Sequence, residues 1–279
     1  MIDEIIDLAL QEDIGEGDHS SLSCVPEDAT GSAKLLVKEN GIIAGVQLAR
    51  RIFHRYDPSL TITIHILDGT HVKPGDIVFE IQGKSRSILA TERLVLNFMQ
   101  RMSGIATQTN SVVQLIADTE THLLDTRKTT PGIRALEKWA VTIGGGYNHR
   151  FGLYDMIMIK DNHIDYAGGV AKAVERANAY IAEKGLKINI EIEVRNEEEL
   201  DEVLKNPKVD RIMLDNFTPE QIVKVLPKIP DSIETEASGG ITIDNIRAYA
   251  ETSVNFISSG ALTHSVKSLD MSLKAVYNK

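Results

Sequence analysis

The sequence predicts an α/β protein in two parts: a β-rich first third, followed by an incomplete parallel α/β barrel of about six strands. Three observations carry this. After residue 120, short apolar segments alternate with helical patterns, the signature of βαβ units and a parallel sheet. The ends of those segments are polar, and the last four stations, Glu193, Asp215, Ala237-Ser238 and Ser259, recur every 22 residues, as even crossovers around a barrel would. Between residues 32 and 83, by contrast, apolar residues alternate at period two and are punctuated by turn chemistry.

In chain order, Ile2, Ile5, Ile6, Ala9 and Leu10 follow the i, i+3, i+4 spacing of an amphipathic first helix. A glycine-rich acidic loop, Glu12 to Asp18, follows it. Val46 to Tyr56 predicts a helix against the first sheet. Thr61–Ile66 and Ile77–Ile81 read as strands joined through the turn Lys73-Pro74-Gly75-Asp76. Gln82-Gly83-Lys84-Ser85 reads as a turn after the second of these. Residues 87–118 predict one or two long helices, with Ser103-Gly104 as the break. The barrel strands are then Leu123-Leu124, Met156–Ile159, Ile188–Ile192, Arg211–Leu214, Ser232–Thr235 and Phe256-Ile257. Leu269, Leu273 and Val276 suggest a closing helix over 265–279.

Thirty Lys+Arg against 40 Asp+Glu in 279 residues give a net charge of −10. Such a chain lacks the basic field that holds nucleic acid or an anionic membrane surface. No stretch approaches the roughly 18 apolar residues of a membrane helix. The single cysteine, Cys24, excludes an intramolecular disulfide and a multi-cysteine zinc site. The acidic start Met1-Ile2-Asp3-Glu4 lacks the pattern of a secretory signal, so a cytoplasmic protein is expected.

Against this acidic background, Arg127, Lys128, Arg134, His149, Arg150, Lys160 and His163 concentrate positive charge in one region. Arg127-Lys128 follows one barrel strand and Lys160 the next, so both point into the same mouth, where paired cations suit a dianionic ligand. Glu193 and Asp215 end the next two strands. They either share a cation, for which Mg²⁺ with its taste for one or two carboxylates is the candidate, or pair with the neighbouring Arg and Lys residues. Ser238-Gly239-Gly240 and Ser259-Gly260-Ala261 follow the last two strands, with a helical pattern from about Asp244. Such glycine turns either cradle a phosphate or simply close the chain tightly. Gln82-Gly83-Lys84-Ser85 lacks the first glycine of a P-loop, Gly144-Gly145-Gly146 lacks the dinucleotide spacing, and the eight histidines show no zinc-binding pattern.

Asp125-Thr126-Arg127-Lys128-Thr129-Thr130-Pro131-Gly132, Gly144-Gly145-Gly146-Tyr147-Asn148-His149-Arg150 and Ile159-Lys160-Asp161-Asn162-His163 resemble the quinolinate phosphoribosyltransferases. Glu191–Val194, Leu214–Phe217, Ser238–Gly240 and Gly260–Ser265 continue the match in order, as do Glu12–Gly15 and Gln100–Thr107 upstream. Trp139, where the family more often has Tyr, and Ser20, where Thr is common, are small departures. The resemblance implies an N-terminal α/β sandwich domain over 1–106, joined by the C-terminal helix 265–279, and a barrel domain over 107–264. It implies that Arg101, Thr126, Arg127, Lys128, His149, Arg150 and Lys160 surround quinolinate and the pyrophosphate of phosphoribosyl pyrophosphate. Glu193 and Asp215 would face the ribose and Mg²⁺, and Ser238, Gly239, Gly240, Ser259, Gly260 and Ala261 would hold the 5′-phosphate. Lys128, Glu193 and Asp215 are the implied catalytic groups. A homodimer or dimer-based hexamer is implied, with Arg101 reaching the neighbouring subunit's site.

The implied reaction joins quinolinate to phosphoribosyl with loss of CO₂ and pyrophosphate, giving nicotinate mononucleotide for NAD biosynthesis. Two rivals stand beside it. A class I aldolase would also set a Schiff-base lysine, here Lys160, at a barrel strand end. A molybdenum-associated relative of the same family would use the fold to bind a small anion without this synthesis.

Overall fold

The computed structural model describes residues 1–276, and the chain divides into two compact units. The first comprises Met1–Asn110, Thr129–Gly145 and the C-terminal stretch from Leu262; the second comprises Ser111–Lys128 and Gly146–Ala261. Where the sequence suggests one boundary at residues 106 and 107, the contacts place it at Asn110 and return Thr129–Gly145 to the first unit.

The first unit opens with α1 (Ile2–Ile14), whose Ile6 alone is fully buried, and α2 (His19–Cys24), capped by the Asp18 carboxylate on Ser21 N at 3.1 Å. Then come β1 (Thr30–Val37), β2 (Gly41–Ile42), α3 (Val46–Tyr56), β3 (Thr61–Ile64), β4 (His71–Val72) and β5 (Ile77–Lys84). The helix α4 (Ser85–Leu115) begins directly where β5 ends, so the turn read into Gln82–Ser85 is absent. The expected break at Ser103-Gly104 is absent too. Ser103 Oγ bonds Ala44 N (2.9 Å) and Ala44 O (3.1 Å), while a Cβ at Gly104 would collide with the Lys267 carbonyl. These small residues mark a close approach of backbone to the helix, not its interruption.

The Lys73–Asp76 turn is present, with Gly75 at φ 95° and Asp76 accepting from Lys73 N at 2.9 Å. Leu35, Val37, Ile52, Phe53, Phe79 and Ile81 are buried between sheet and helix, with Phe53 and Phe79 edge to face at 5.9 Å.

The β6 strand (His122–Leu124) belongs to the second unit, and α5 (Arg134–Ile143) to the first. The barrel unit continues with β7 (Met156–Ile159), α6 (Asp161–Ala167), α7 (Val170–Lys184), β8 (Asn189–Val194), α8 (Glu197–Leu204), β9 (Arg211–Asp215), α9 (Pro219–Val225), β10 (Glu234–Ser238), α10 (Ile246–Ala250), β11 (Phe256–Ser258) and α11 (Ala261–His264). Its six strands run parallel in the order β6-β11-β10-β9-β8-β7, and among the described residues no ladder joins β6 to β7. The barrel is therefore incomplete, as six units predict. Asn196 caps α8, and Thr218 with Gln221 boxes the start of α9 behind Pro219.

The tail corrects the sequence reading. Residues Met271–Val276 form a strand, β12, antiparallel to β1, and the order of the first sheet is β12-β1-β5-β3. Leu269, Leu273 and Val276 fit a helical spacing, yet Met271 and Leu273 also alternate, and both are buried. The open edge of β1 decides between the two periods, because its unpaired amides and carbonyls need a partner. Residues 277–279 of the expected helix lie outside the described residues.

Candidate active site

Strands β8 to β11 of the barrel unit present two unlike faces. Ile190, Ile192, Val194, Ile212, Leu214, Ala237 and Ile257 form a buried apolar face. The intervening residues are Glu191 and Glu193 on β8, Arg211, Met213 and Asp215 on β9, Glu234, Glu236 and Ser238 on β10, and Phe256 and Ser258 on β11. Their mutual contacts place them on one side of the sheet. Arg211 bonds Glu234 (2.7 Å) and Glu236 (3.2 Å) and lies 4.1 Å over the Phe256 ring, and Ser258 Oγ meets Ser238 Oγ at 3.2 Å.

At the C-terminal ends, Lys160 Nζ donates to Glu193 Oε2 at 2.5 Å. The two side chains are 42% and 11% exposed, so the pair opens to solvent on the lysine side. Asp215 stands beside it. Burial, and then the Glu193 charge, push the Asp215 carboxyl above the usual range, and Asn216 Nδ2 donates to its Oδ2 at 2.6 Å. Glu193 thus has a lysine partner, and the same Lys160 charge partly offsets the push that burial and Glu193 exert on Asp215. Hard oxygen donors of this kind, two at most, match the ligand set Mg²⁺ takes when phosphate oxygens complete it.

Arg127 and Arg150 define the cationic part. Arg127 Nε is buried without a hydrogen-bond partner, and Arg150 Nη1 reaches only the Met156 carbonyl, at 3.2 Å, among its resolved bonds. Burial and then the charge of Arg127 depress the pKa of Arg150, so the two guanidiniums lie near enough to repel. Thr126 Oγ1 accepts from Lys128 N at 3.0 Å and shapes the exposed turn that carries Lys128.

His149 is placed differently from a surface cation. It is 7% exposed, with Nε2 2.8 Å from Glu191 Oε2 and 3.5 Å from Glu236 Oε2, an ion pair too poorly aligned to count as a hydrogen bond. Burial opposes its charge, but Glu191 and Glu236 outweigh burial and raise the imidazole to about 9. Its Nδ1 accepts from Arg150 N at 2.7 Å, and its own N–H donates to the buried Asp125 at 2.8 Å. Strand-end Asp125 therefore fixes the backbone that carries His149 and Arg150. Burial and the charge of Glu236 push the Glu191 carboxyl upward. These three groups could collect a metal ion by position, yet the protonated imidazole and Arg211 already supply the positive charge.

His163 accepts from Lys160 N at 2.9 Å and so caps α6, a local task rather than a ligand contact. Arg134 donates to Thr129 Oγ1 at 2.8 Å within the first unit. Arg101, also in the first unit, is 24% exposed, and its Nε and Nη2 meet Glu137 Oε1 at 3.0 and 2.8 Å.

The glycine turn after β10 requires its glycines. Gly239 and Gly240 adopt φ 91° and 64°, and a Cβ on Gly239 would strike the Asn216 side chain. Asn216, itself at φ 58°, is held by its N–H on Ser238 O at 2.8 Å. Anion-binding backbone turns draw on glycines at such angles. The helix behind it begins at Ile246, two residues later than expected, and is only five residues long. Ser259 N is fixed on the Leu124 carbonyl at 3.0 Å, which orients the second turn, Ser259-Gly260-Ala261.

Glu191, Arg211, Glu236 and Glu137 receive no role in the motif reading, although Glu191 lies inside one of the matching segments. The first three carried a signal nonetheless: charge alternating with Ile, Leu or Ala at period two within an apolar strand.

A parallel barrel with cations, carboxylates and a glycine turn gathered at its strand C-terminal ends is the design of an enzyme acting on phosphorylated anions. The family description "Quinolinate phosphoribosyl transferase, C-terminal domain" matches residues 105–274, and its N-terminal counterpart matches residues 18–103. The chain belongs to the quinolinate phosphoribosyltransferase family. It is 45% identical to the chloroplastic nicotinate-nucleotide pyrophosphorylase [carboxylating] of rice, over 97% of this chain and 76% of that protein. It is also 45% identical to the probable nicotinate-nucleotide pyrophosphorylase of Bacillus subtilis, over 94% of this chain and 89% of that one. The crystal structure of NadC from Streptococcus pyogenes superposes with a TM-score of 0.93 at 40% identity, covering 100% of this chain and 97% of the other. Neither rival finds support: the relatives carry pyrophosphorylase and phosphoribosyltransferase names, and Lys160 is engaged by a carboxylate rather than set in the apolar pocket of a Schiff-base lysine.

Proposed function

We infer that this chain transfers phosphoribosyl from phosphoribosyl pyrophosphate to quinolinate with decarboxylation, yielding nicotinate mononucleotide, pyrophosphate and CO₂, a step of NAD biosynthesis. The relatives' names support the reaction, and one observation in the site carries it to these residues: Arg127 and Arg150 oppose each other with a buried Nε unsatisfied. Two adjacent carboxylates of a pyridine dicarboxylate would relieve that repulsion and supply the missing acceptor.

The pyridine nitrogen attacks ribose C1 as pyrophosphate leaves, and it needs no general base. Positive charge builds on the sugar and negative charge on the leaving group. Glu193 and Asp215 face the first, while Lys128, from its exposed turn, meets the second. Lys160 anchors Glu193 and, with Arg127 and Arg150, binds quinolinate, while buried His149 acts on the substrate site through the Arg150 backbone that its Nδ1 holds. Thr126 shapes the loop, and Ser238-Gly239-Gly240 with Ser259-Gly260-Ala261 hold the 5′-phosphate. Mg²⁺, when bound, would neutralise pyrophosphate charge, and Glu193 and Asp215 would hold it, directly or through water or substrate. Loss of the 2-carboxylate as CO₂ follows from the N-alkylated, electron-poor ring, and the electron pair left on C2 takes a proton from solvent. The protein supplies positioning and electrostatics.

We place the protein in the cytoplasm as a homodimer or a dimer-based hexamer, with Arg101 serving the neighbouring subunit's site. A lone cysteine suits a reducing compartment. Pyrophosphate and CO₂ released from the two substrates with Mg²⁺ present test the assignment; folded protein that releases neither overturns it.

A further inference from the structure

Glu137 is the one strongly enclosed carboxylate of α5, with a side chain at 0% exposure. Its Oε1 accepts from Arg101 Nε (3.0 Å), Arg101 Nη2 (2.8 Å) and Thr130 Oγ1 (2.8 Å), and its Oε2 from Thr130 N (2.9 Å). Burying a carboxylate is costly, and removing its partners leaves an uncompensated charge, so such a group stays where its geometry matters. Here the geometry links two segments of interest. Arg101 is gripped along its Nε–Nη2 edge, with Nη2 also on the Thr263 carbonyl and Nη1 3.5 Å from the Val266 carbonyl. That leaves donor capacity on the far side of the guanidinium, which has five N–H donors in all. Thr130, held at both its amide and its hydroxyl, lies two residues after Lys128.

We propose that Glu137 is a positioning residue for phosphoribosyl transfer: its single carboxylate fixes the guanidinium of Arg101 and, through Thr130, the loop bearing Arg127 and Lys128. The proposal rests on the reading that Arg101 and Arg127 bind quinolinate. A purely structural carboxylate would tie one helix to one loop. This one instead restrains a partly exposed arginine and the loop that follows two further cations, and it does so with every acceptor site directed at one or the other. Loss of the charge would leave Arg101 free to change rotamer and Thr130 without its double anchor. Substrate capture should then suffer before the chemistry does, because the reacting groups on β8 and β9 are untouched.

The test is a double-mutant cycle on the full-length enzyme, with quinolinate KM, kcat and the thermal midpoint measured for each form. Glu137→Gln is expected to raise the quinolinate KM about tenfold or more while kcat changes less. In an Arg101→Ala background the same change should raise the KM by a smaller factor, the part that acts through Thr130, because the Arg101 route has gone. Glu137→Asp, which keeps the charge on a shorter stem, should recover part of the KM, and it serves in place of the Gln form if that form does not fold. A lowered midpoint with unchanged KM in Glu137→Gln, or an equal KM penalty with and without Arg101, overturns the proposal. If Arg101→Ala itself retains wild-type KM, the quinolinate-binding reading of Arg101 falls, and the proposal with it. If Arg101→Ala is impaired and Glu137→Gln silent, the proposal alone falls.

Discussion

Two arginines held against each other mark where folding and binding make opposite demands on the same residues. Arg127 and Arg150 repel across a partly buried space in the absence of an anion, so truncating one should relieve the fold while disabling the site. Arg127→Ala is expected to weaken quinolinate binding by roughly ten- to a hundredfold, the worth of one or two charged hydrogen bonds. Its thermal midpoint should stay level or rise, and calorimetry beside a binding titration checks both. An unfolded Arg127→Ala protein would contradict the argument. His149 gives a pH signature of its own. Its folded pKa, about 9, lies above the unfolded value near 6.5, so its contribution is fully present below about pH 6.5 and is lost as pH rises through 9. The decline should reach up to about 3 kcal/mol. His149→Gln should flatten that part of the profile in denaturant titrations run across this range.

The elements show which sequence signals survive packing. Helix α3 and the Lys73–Asp76 turn sit where local pattern puts them, because amphipathic spacing and Pro-Gly chemistry are short-range signals. The six parallel strands were legible for a similar reason: each is an apolar run between polar stations. What failed was settled at long range. Ser103-Gly104 has the composition of a break, yet it is the packing of residues 44 and 267 on α4 that explains it. Within the site, Lys160, Glu193 and Asp215 were visible as strand ends, whereas Glu191 and Glu236 lie inside strands, where motif spacing is silent. The β10 turn offers an element-scale prediction. Gly239→Ala adds strain at a positive φ and strikes Asn216, at a cost of about 1–3 kcal/mol. The KM for phosphoribosyl pyrophosphate should rise more than that for quinolinate in steady-state assays; equal rises would argue against a phosphate role for the turn.

For the whole molecule, an acidic total of −10 coexists with a cationic site, and neither is visible from the other. Net charge excluded polyanion partners, but only the strand-end residues indicated where the exceptions gather. Assembly is the property of this scale open to direct test. If Arg101 serves a neighbouring subunit, Arg101→Ala and Lys160→Ala proteins should each be strongly impaired alone when quinolinate is held near the wild-type KM. Unfolded and refolded together in equal amounts, they should regain roughly a quarter of wild-type activity, because half the random dimers carry one intact site of two. Mixtures that stay inactive would place Arg101 in its own subunit's site.

The C-terminal strand has a consequence for the order in which the protein is made. Strand β1 leaves the ribosome long before β12, which covers its edge. The first sheet must wait with an unpaired edge until β12 has emerged, while the residues of the barrel unit emerge before it. In a nascent chain arrested before residue 271, the barrel unit should resist protease while the first sheet remains vulnerable. The first sheet is thus begun before the barrel unit and finished after it.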